Sequence, residues 1–143
     1  MEEQNIIPKP AFWLGYSGLV PFFIAALLFY TSGSASYGAA LIGYAAVILS
    51  FLGGVRWGLA IVDSSSKSLL LPLFYSILPS LIGWIALFLP SQMGFILLSC
   101  GFFATLLADM KLKNSPTWYA RLRIPLSLGA ITCLIFAFLV QSI

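Results

Sequence analysis

Apolar and polar positions alternate along the chain on the scale of whole helices. Long apolar runs cover about residues 12–30, 37–62, 69–89, 93–110 and 125–140, with short polar breaks between them. Each run lies near the ~20 apolar residues that an α-helix needs to cross the hydrocarbon core of a bilayer. The pattern predicts an all-α fold, a polytopic membrane helix bundle of about five transmembrane helices, and one integral membrane domain over residues 1–143.

The breaks carry helix-end chemistry. Thr31 to Ser36 is a polar turn, and Asp63 to Ser68 is another, with Ser68 placed to cap the third helix and Pro72 in its first turn. Leu89, Pro90, Ser91 and Gln92 form a tight turn, so the third and fourth spans are expected to pair as an antiparallel hairpin. Ser115 and Pro116 give a helix start signal inside the polar stretch from Lys111 to Arg123, which predicts a short interfacial helix before the fifth span. Pro21 and Pro79 lie inside spans, where membrane helices tolerate proline and kinks are expected. The alternative at Pro79 is a re-entrant pair, which would spoil the charge pattern.

That charge pattern is one-sided. With five spans, Lys9, Lys67, Lys111, Lys113, Arg121 and Arg123 all fall on the side of the N-terminus, and the opposite turns hold no Lys or Arg. The positive-inside rule then predicts the N-terminus inside and the C-terminus outside. Composition agrees: 61% of residues are hydrophobic and 8% charged, against roughly 25% charged in soluble domains. The net charge of +3 therefore reflects topology, and no nucleic-acid surface is expected. The chain has no histidine, which removes His-ligated haem, imidazole acid–base chemistry and most zinc sites. Cys100 and Cys133 lie in apolar runs and read as packing residues. No cofactor, metal or catalytic residue is expected. Glu2 and Glu3 match neither a secretory signal nor a mitochondrial presequence, so a bacterial inner membrane is the expected home, with a cytoplasmic N-terminus and a periplasmic C-terminus.

Within the second span, Ala46, Ser50, Gly54 and Gly58 recur every four residues, a small-residue stripe suited to close helix packing in lipid. Arg56 lies six residues before Val62, about 9 Å from the end of its helix. It either snorkels to headgroup phosphates or finds a partner in the bundle. Asp109, at the end of the fourth span, shares a face with Gly101 and Thr105. That face can pack closely and turn the carboxylate towards Arg56, or leave it exposed beside Lys111 and Lys113. Trp118, Tyr119 and Leu122 make an apolar stripe flanked by Arg121 and Arg123. Such residues serve as interface anchors. The functional alternative is an inner-face polar cluster of Arg56, Trp57, Asp109, Trp118, Tyr119, Arg121 and Arg123, lining a pocket for an anionic group.

The stretch Ser50 to Ala60, with Phe51-Leu52-Gly53-Gly54-Val55-Arg56-Trp57-Gly58 inside it, resembles a small membrane family known as domain of unknown function 3429. That family includes the animal mitochondrial transmembrane protein sixty-nine. The resemblance extends to Leu78-Pro79-Ser80, Leu107-Ala108-Asp109 and Pro116 to Arg123, in the same order. It implies that Arg56 stands where the family often has His, so a basic or hydrogen-bonding group is what that position needs. It implies no activity.

Two roles are therefore expected. The first is a non-catalytic membrane component, an assembly or stability partner of other membrane proteins or of its own copies. The alternative is a binder or transporter of a lipid or small anionic molecule at the inner leaflet, with the bilayer and its anionic headgroups as partners in either case. An enzyme is not expected, because the chain offers no nucleophile–base pair, metal cluster or phosphate loop.

Overall fold

A computed structural model describes residues 6–62, 68–112 and 115–143. The regular structure among the described residues is helical: α1 Lys9–Ser17, α2 Val20–Ser32, α3 Ala35–Val62, α4 Leu70–Ala86, α5 Ser91–Met110 and α6 Thr117–Ser142. These make five apolar rods, because α1 and α2 follow one another within a single 24-residue segment, Lys9–Ser32. That segment, α3, α5 and α6 are long and apolar enough to cross a membrane. α4 is shorter, at 17 residues, or about 25 Å. It ends at Ala86 rather than near Leu89, and the chain turns through Leu87 to Pro90. Leu69, not Ser68, stands at its N-cap position.

The break between α1 and α2 follows from Pro21. A proline has no N–H to give the carbonyl four residues back, here that of Ser17. Pro21 accordingly sits in the first turn of α2, and the expected kink is a full interruption at Gly18 and Leu19. The Tyr44 hydroxyl of α3 donates to the Gly18 carbonyl at 2.9 Å, satisfying a group the break has freed. Pro79 behaves differently. α4 runs unbroken through it, so the third segment is one helix and not a re-entrant pair. At the other end of the first rod, Gly33 adopts φ 62°, the left-handed C-cap that a side chain would strain.

α6 also corrects an expectation. It runs without interruption from Thr117 to Ser142, so the separate interfacial helix is absent and its residues form the first turns of the fifth rod. Pro125 lies in its second turn and a half, where the freed carbonyl is that of Arg121, close to the helix start.

α3 packs along α4 and also meets α2 and α5, while α5 packs along α6 and α6 reaches back to α2. Leu41, Ala45 and Leu49 of α3 and Phe95, Leu98 and Phe102 of α5 are fully or nearly fully buried in the resulting core. The close α3–α4 approach uses a different set of small residues from the stripe in the sequence. A Cβ at Gly53 would stand 2.5 Å from the Ser76 carbonyl oxygen, and one at Gly83 would stand 2.9 Å from that of Ala46. Ser50 is half-buried, and Gly54 and Gly58 are exposed with no atom within 4 Å of a built Cβ. Helical geometry explains the drift. A step of four residues turns ~400°, so the row precesses ~40° per step and has swung ~120° by Gly58. Ala46 thus faces α4 while Gly54 and Gly58 have rotated away. The contact follows Ala46 and Gly53, seven residues apart, a spacing that stays in phase.

Candidate functional site

The ends of α3 and α5 and the start of α6 come together at one end of the bundle. Each brings one charge. Asp109 is the penultimate residue of α5, and Arg123 is in the second turn of α6. Arg56 Nη1 donates to Asp109 Oδ1 at 3.3 Å, and Arg123 Nε donates to Asp109 Oδ2 at 2.9 Å. Both carboxylate oxygens are therefore held, by guanidinium groups from two other helices. The side-chain exposures are 0% for Asp109, 7% for Arg123 and 16% for Arg56, so the Arg123 pair is buried and the Arg56 pair part-buried.

The local sequence dictates this inward turn. Gly101, Thr105 and Asp109 are all buried on one face of α5. At Gly101 a Cβ would lie 2.8 Å from Leu49 Cδ2, so the missing side chain lets α5 close on α3 and carries Asp109 towards Arg56. Thr105 directs its hydroxyl to the Gly101 carbonyl at 2.8 Å and makes no demand on the carboxylate. Helix dipoles add a second reason. A carboxylate at a helix C-terminus is unfavourable alone. Asp109, in the last turn of α5, occupies that position, and the Arg123 guanidinium offsets it.

Two guanidinium groups against one carboxylate leave these three side chains with one net positive charge. Part of it is unspent, since Arg123 Nη2 is buried and has no hydrogen-bond partner. The Tyr119 hydroxyl is also buried. It lies within electrostatic reach of Asp109, Arg123 and Arg56, but meets no partner in strict hydrogen-bonding geometry.

Of the residues expected to cluster, Arg56, Asp109, Tyr119 and Arg123 are brought together. Trp118 is half-buried and meets Tyr119 edge to face, with ring centroids 6.2 Å apart. Trp57 and Arg121 do not join; both are exposed. Lys9 and Lys111 are exposed as well, whereas Glu2, Glu3, Asp63, Lys67 and Lys113 lie outside the described residues. Sequence reasoning missed Ser127. It is 1% exposed, its hydroxyl has no partner, and it follows Arg123 by four residues, on the same face of α6. That spacing was the available signal.

Chemically, the arrangement can hold charge. Asp109 is the one acidic side chain among the described residues, and both its oxygens are committed.

The family described as "Protein of unknown function (DUF3429)" matches residues 7–139. The chain is similar to Transmembrane protein 69 of Xenopus tropicalis, 37% identical over 95% of this chain and 56% of the relative. It is also similar to Transmembrane protein 69 of Mus musculus, 30% identical over 95% of this chain and 58% of the relative. The chain thus spans little more than half the length of these curated relatives. No solved structure matches it.

Proposed function

Since the chain belongs to the DUF3429 family of proteins of unknown function, we propose that it is a non-catalytic membrane component that serves as an assembly or stability partner of other membrane proteins. The observation that supports this reading is the closed state of Asp109, the one buried carboxylate among the described residues. A carrier coupled to protons or ions needs an ionisable group free to change partners near the midplane. Asp109 instead sits at a helix end, tied on both oxygens to α3 and α6. It works as a clasp that fixes three helices relative to one another. A rigid bundle of this kind offers its flanks to neighbours, and the flank of α3 carries Gly54 and Gly58 between the exposed Phe51 and Ile61.

The proposed setting is a bacterial inner membrane, with the clasp on the cytoplasmic side, the N-terminus inside and the C-terminus outside. Support comes from Lys9, Lys111, Arg121 and Arg123, which flank the same end of the bundle. Reporter fusions at Gly33, Gln92 and the C-terminus should report the periplasm, and fusions at Ser66 and Asn114 the cytoplasm. A cytoplasmic C-terminus would remove the orientation. For the role itself, the full chain is extracted in mild detergent and examined by native mass spectrometry. One stoichiometric membrane-protein partner is expected, and its yield should fall in Gly54→Leu. Wholly monomeric, partner-free protein would sink the proposal.

A further inference from the structure

A second feature of the clasp points away from assembly and towards a ligand. A cavity of about 130 Å³ lies between the α1–α2 break, α3, α5 and α6. Its walls are apolar, with Leu19 and Phe22 on one side and Leu52 and Phe102 on the other. Two polar residues line it, Arg123 and Ser127. Both are more than nine-tenths buried, and both carry an unpartnered polar atom, Nη2 of Arg123 and Oγ of Ser127. A buried donor without an acceptor costs about 1–3 kcal/mol, more when it is charged. Two of them on successive turns of one helix, beside an otherwise greasy hollow, make a site that lacks its acceptor.

The cavity on the opposite flank of the clasp contrasts with this one. It is larger, about 210 Å³, and Arg56 and Thr105 line it. There Arg56 Nη1 donates to Asp109 and the Thr105 hydroxyl donates to the Gly101 carbonyl. Its polar lining holds no buried polar atom without a partner among the described residues, whereas the smaller cavity holds two.

Charge and access narrow the ligand. The clasp residues carry one uncompensated positive charge, so the acceptor that best completes the site is anionic. The rim includes Leu14 and Phe51, which are 74% and 65% exposed on the apolar outside of the bundle. A molecule reaching the cavity therefore comes from the hydrocarbon side, with an apolar tail. We propose that the cavity binds an anionic amphiphile: an oxyanion is held by Arg123 Nη2 and Ser127 Oγ, and the first part of its acyl chain fills the space beside Phe22 and Phe102. A carboxylate and a phosphodiester both supply the required oxygen.

The test uses the full chain in lipid nanodiscs and a photoactivatable fatty acid, a diazirine-bearing palmitate, with labelled peptides mapped by mass spectrometry. Labelling is expected in α1, α2 and α6 at residues around the cavity. Ser127→Ala removes one donor and should weaken labelling about fivefold, the worth of one hydrogen bond. Ser127→Leu fills the space and should weaken it at least about tenfold. Neither touches the salt bridges, and Ser127→Ala carries the test if Ser127→Leu does not fold. Competition by oleate identifies a free carboxylate as the source, and competition by dioleoylphosphatidylglycerol identifies a phospholipid; either supports the site. Methyl oleate, which has the chain without the charge, should compete at least about tenfold less well. Equal competition by methyl oleate, labelling unchanged in both Ser127 variants, or labelling spread evenly over the lipid-facing surface would each overturn it.

Discussion

The two ends of this bundle are built on different principles. At the charged end, α3, α5 and α6 are joined by Asp109 between Arg56 and Arg123, with the carboxylate fully buried. At the opposite end there is no ion pair among the described residues. Helices there meet through Gly38 against the Phe29 ring, through Phe29 and Phe95 with ring centroids 6.0 Å apart, and through the tight turns at Gly33 and Pro90. Its one interhelical polar contact of note, Gln92 Nε2 to the Gln141 carbonyl, is exposed and long at 3.4 Å. Packing of aromatic and small side chains degrades by degrees as atoms are removed. A buried charge network fails as a unit, because removing one member strands the others.

Substitutions should expose that contrast. The largest effect is expected from Asp109→Leu, which leaves two buried guanidinium groups unpaired. It should destabilise the protein by about 3–5 kcal/mol, read as unfolding of the detergent-solubilised protein by a thermal melt. Adding Arg56→Met and Arg123→Met to Asp109→Leu should recover most of that loss, since an apolar replacement of a buried ion network is often neutral. If the triple variant is no more stable than the single one, the network is not the unit described here. Between the two ends, Gly53→Val should cost about 1–3 kcal/mol by overpacking, because its Cβ would collide with the Ser76 carbonyl. Gly54→Val, one residue along, should fall within about 0.5 kcal/mol of the parent. Equal effects of the two would mean that the rotational setting of α3 is wrong. At the uncharged end, Gly33→Ala forces a side chain into the left-handed region and should cost about 1 kcal/mol. The smallest effect is expected from Gln92→Ala, below about 0.5 kcal/mol in the same melt.

Much of the architecture was legible because bilayer thickness and chain geometry leave few choices. Apolar runs of the right length, Gly33 after the first and Pro90 between the third and fourth, correspond to rods and turns in the structure. The inward face of α5 was legible in part: Gly101 and Thr105 lie in register with Asp109, but the sequence left its carboxylate either turned towards Arg56 or exposed beside Lys111 and Lys113. What a linear pattern does not carry is rotational phase. Gly53 and Gly54 are adjacent and equally small, yet only one faces α4, and the drift of a four-residue repeat decides which. The same holds for Arg121 and Arg123. Both read as flanking cations, but two residues are ~200° apart on a helix, so only one can turn inward. Arg123 does so because Asp109 waits there, a fact that belongs to the packing of α5 on α6 and not to either sequence segment. The continuous α6 has the same origin: its first turns look interfacial until the pairing of Arg123 removes the reason to stay at the surface.

The two links of the clasp also differ in how much chain they close. Asp109 and Arg123 are 14 residues apart, whereas Arg56 and Asp109 are 53 apart. By loop-closure entropy the longer link is harder to form by about 1 kcal/mol. The link between α5 and α6 is thus the cheaper of the two in chain entropy, and Arg56 supplies the costlier one from a helix that also packs along α4.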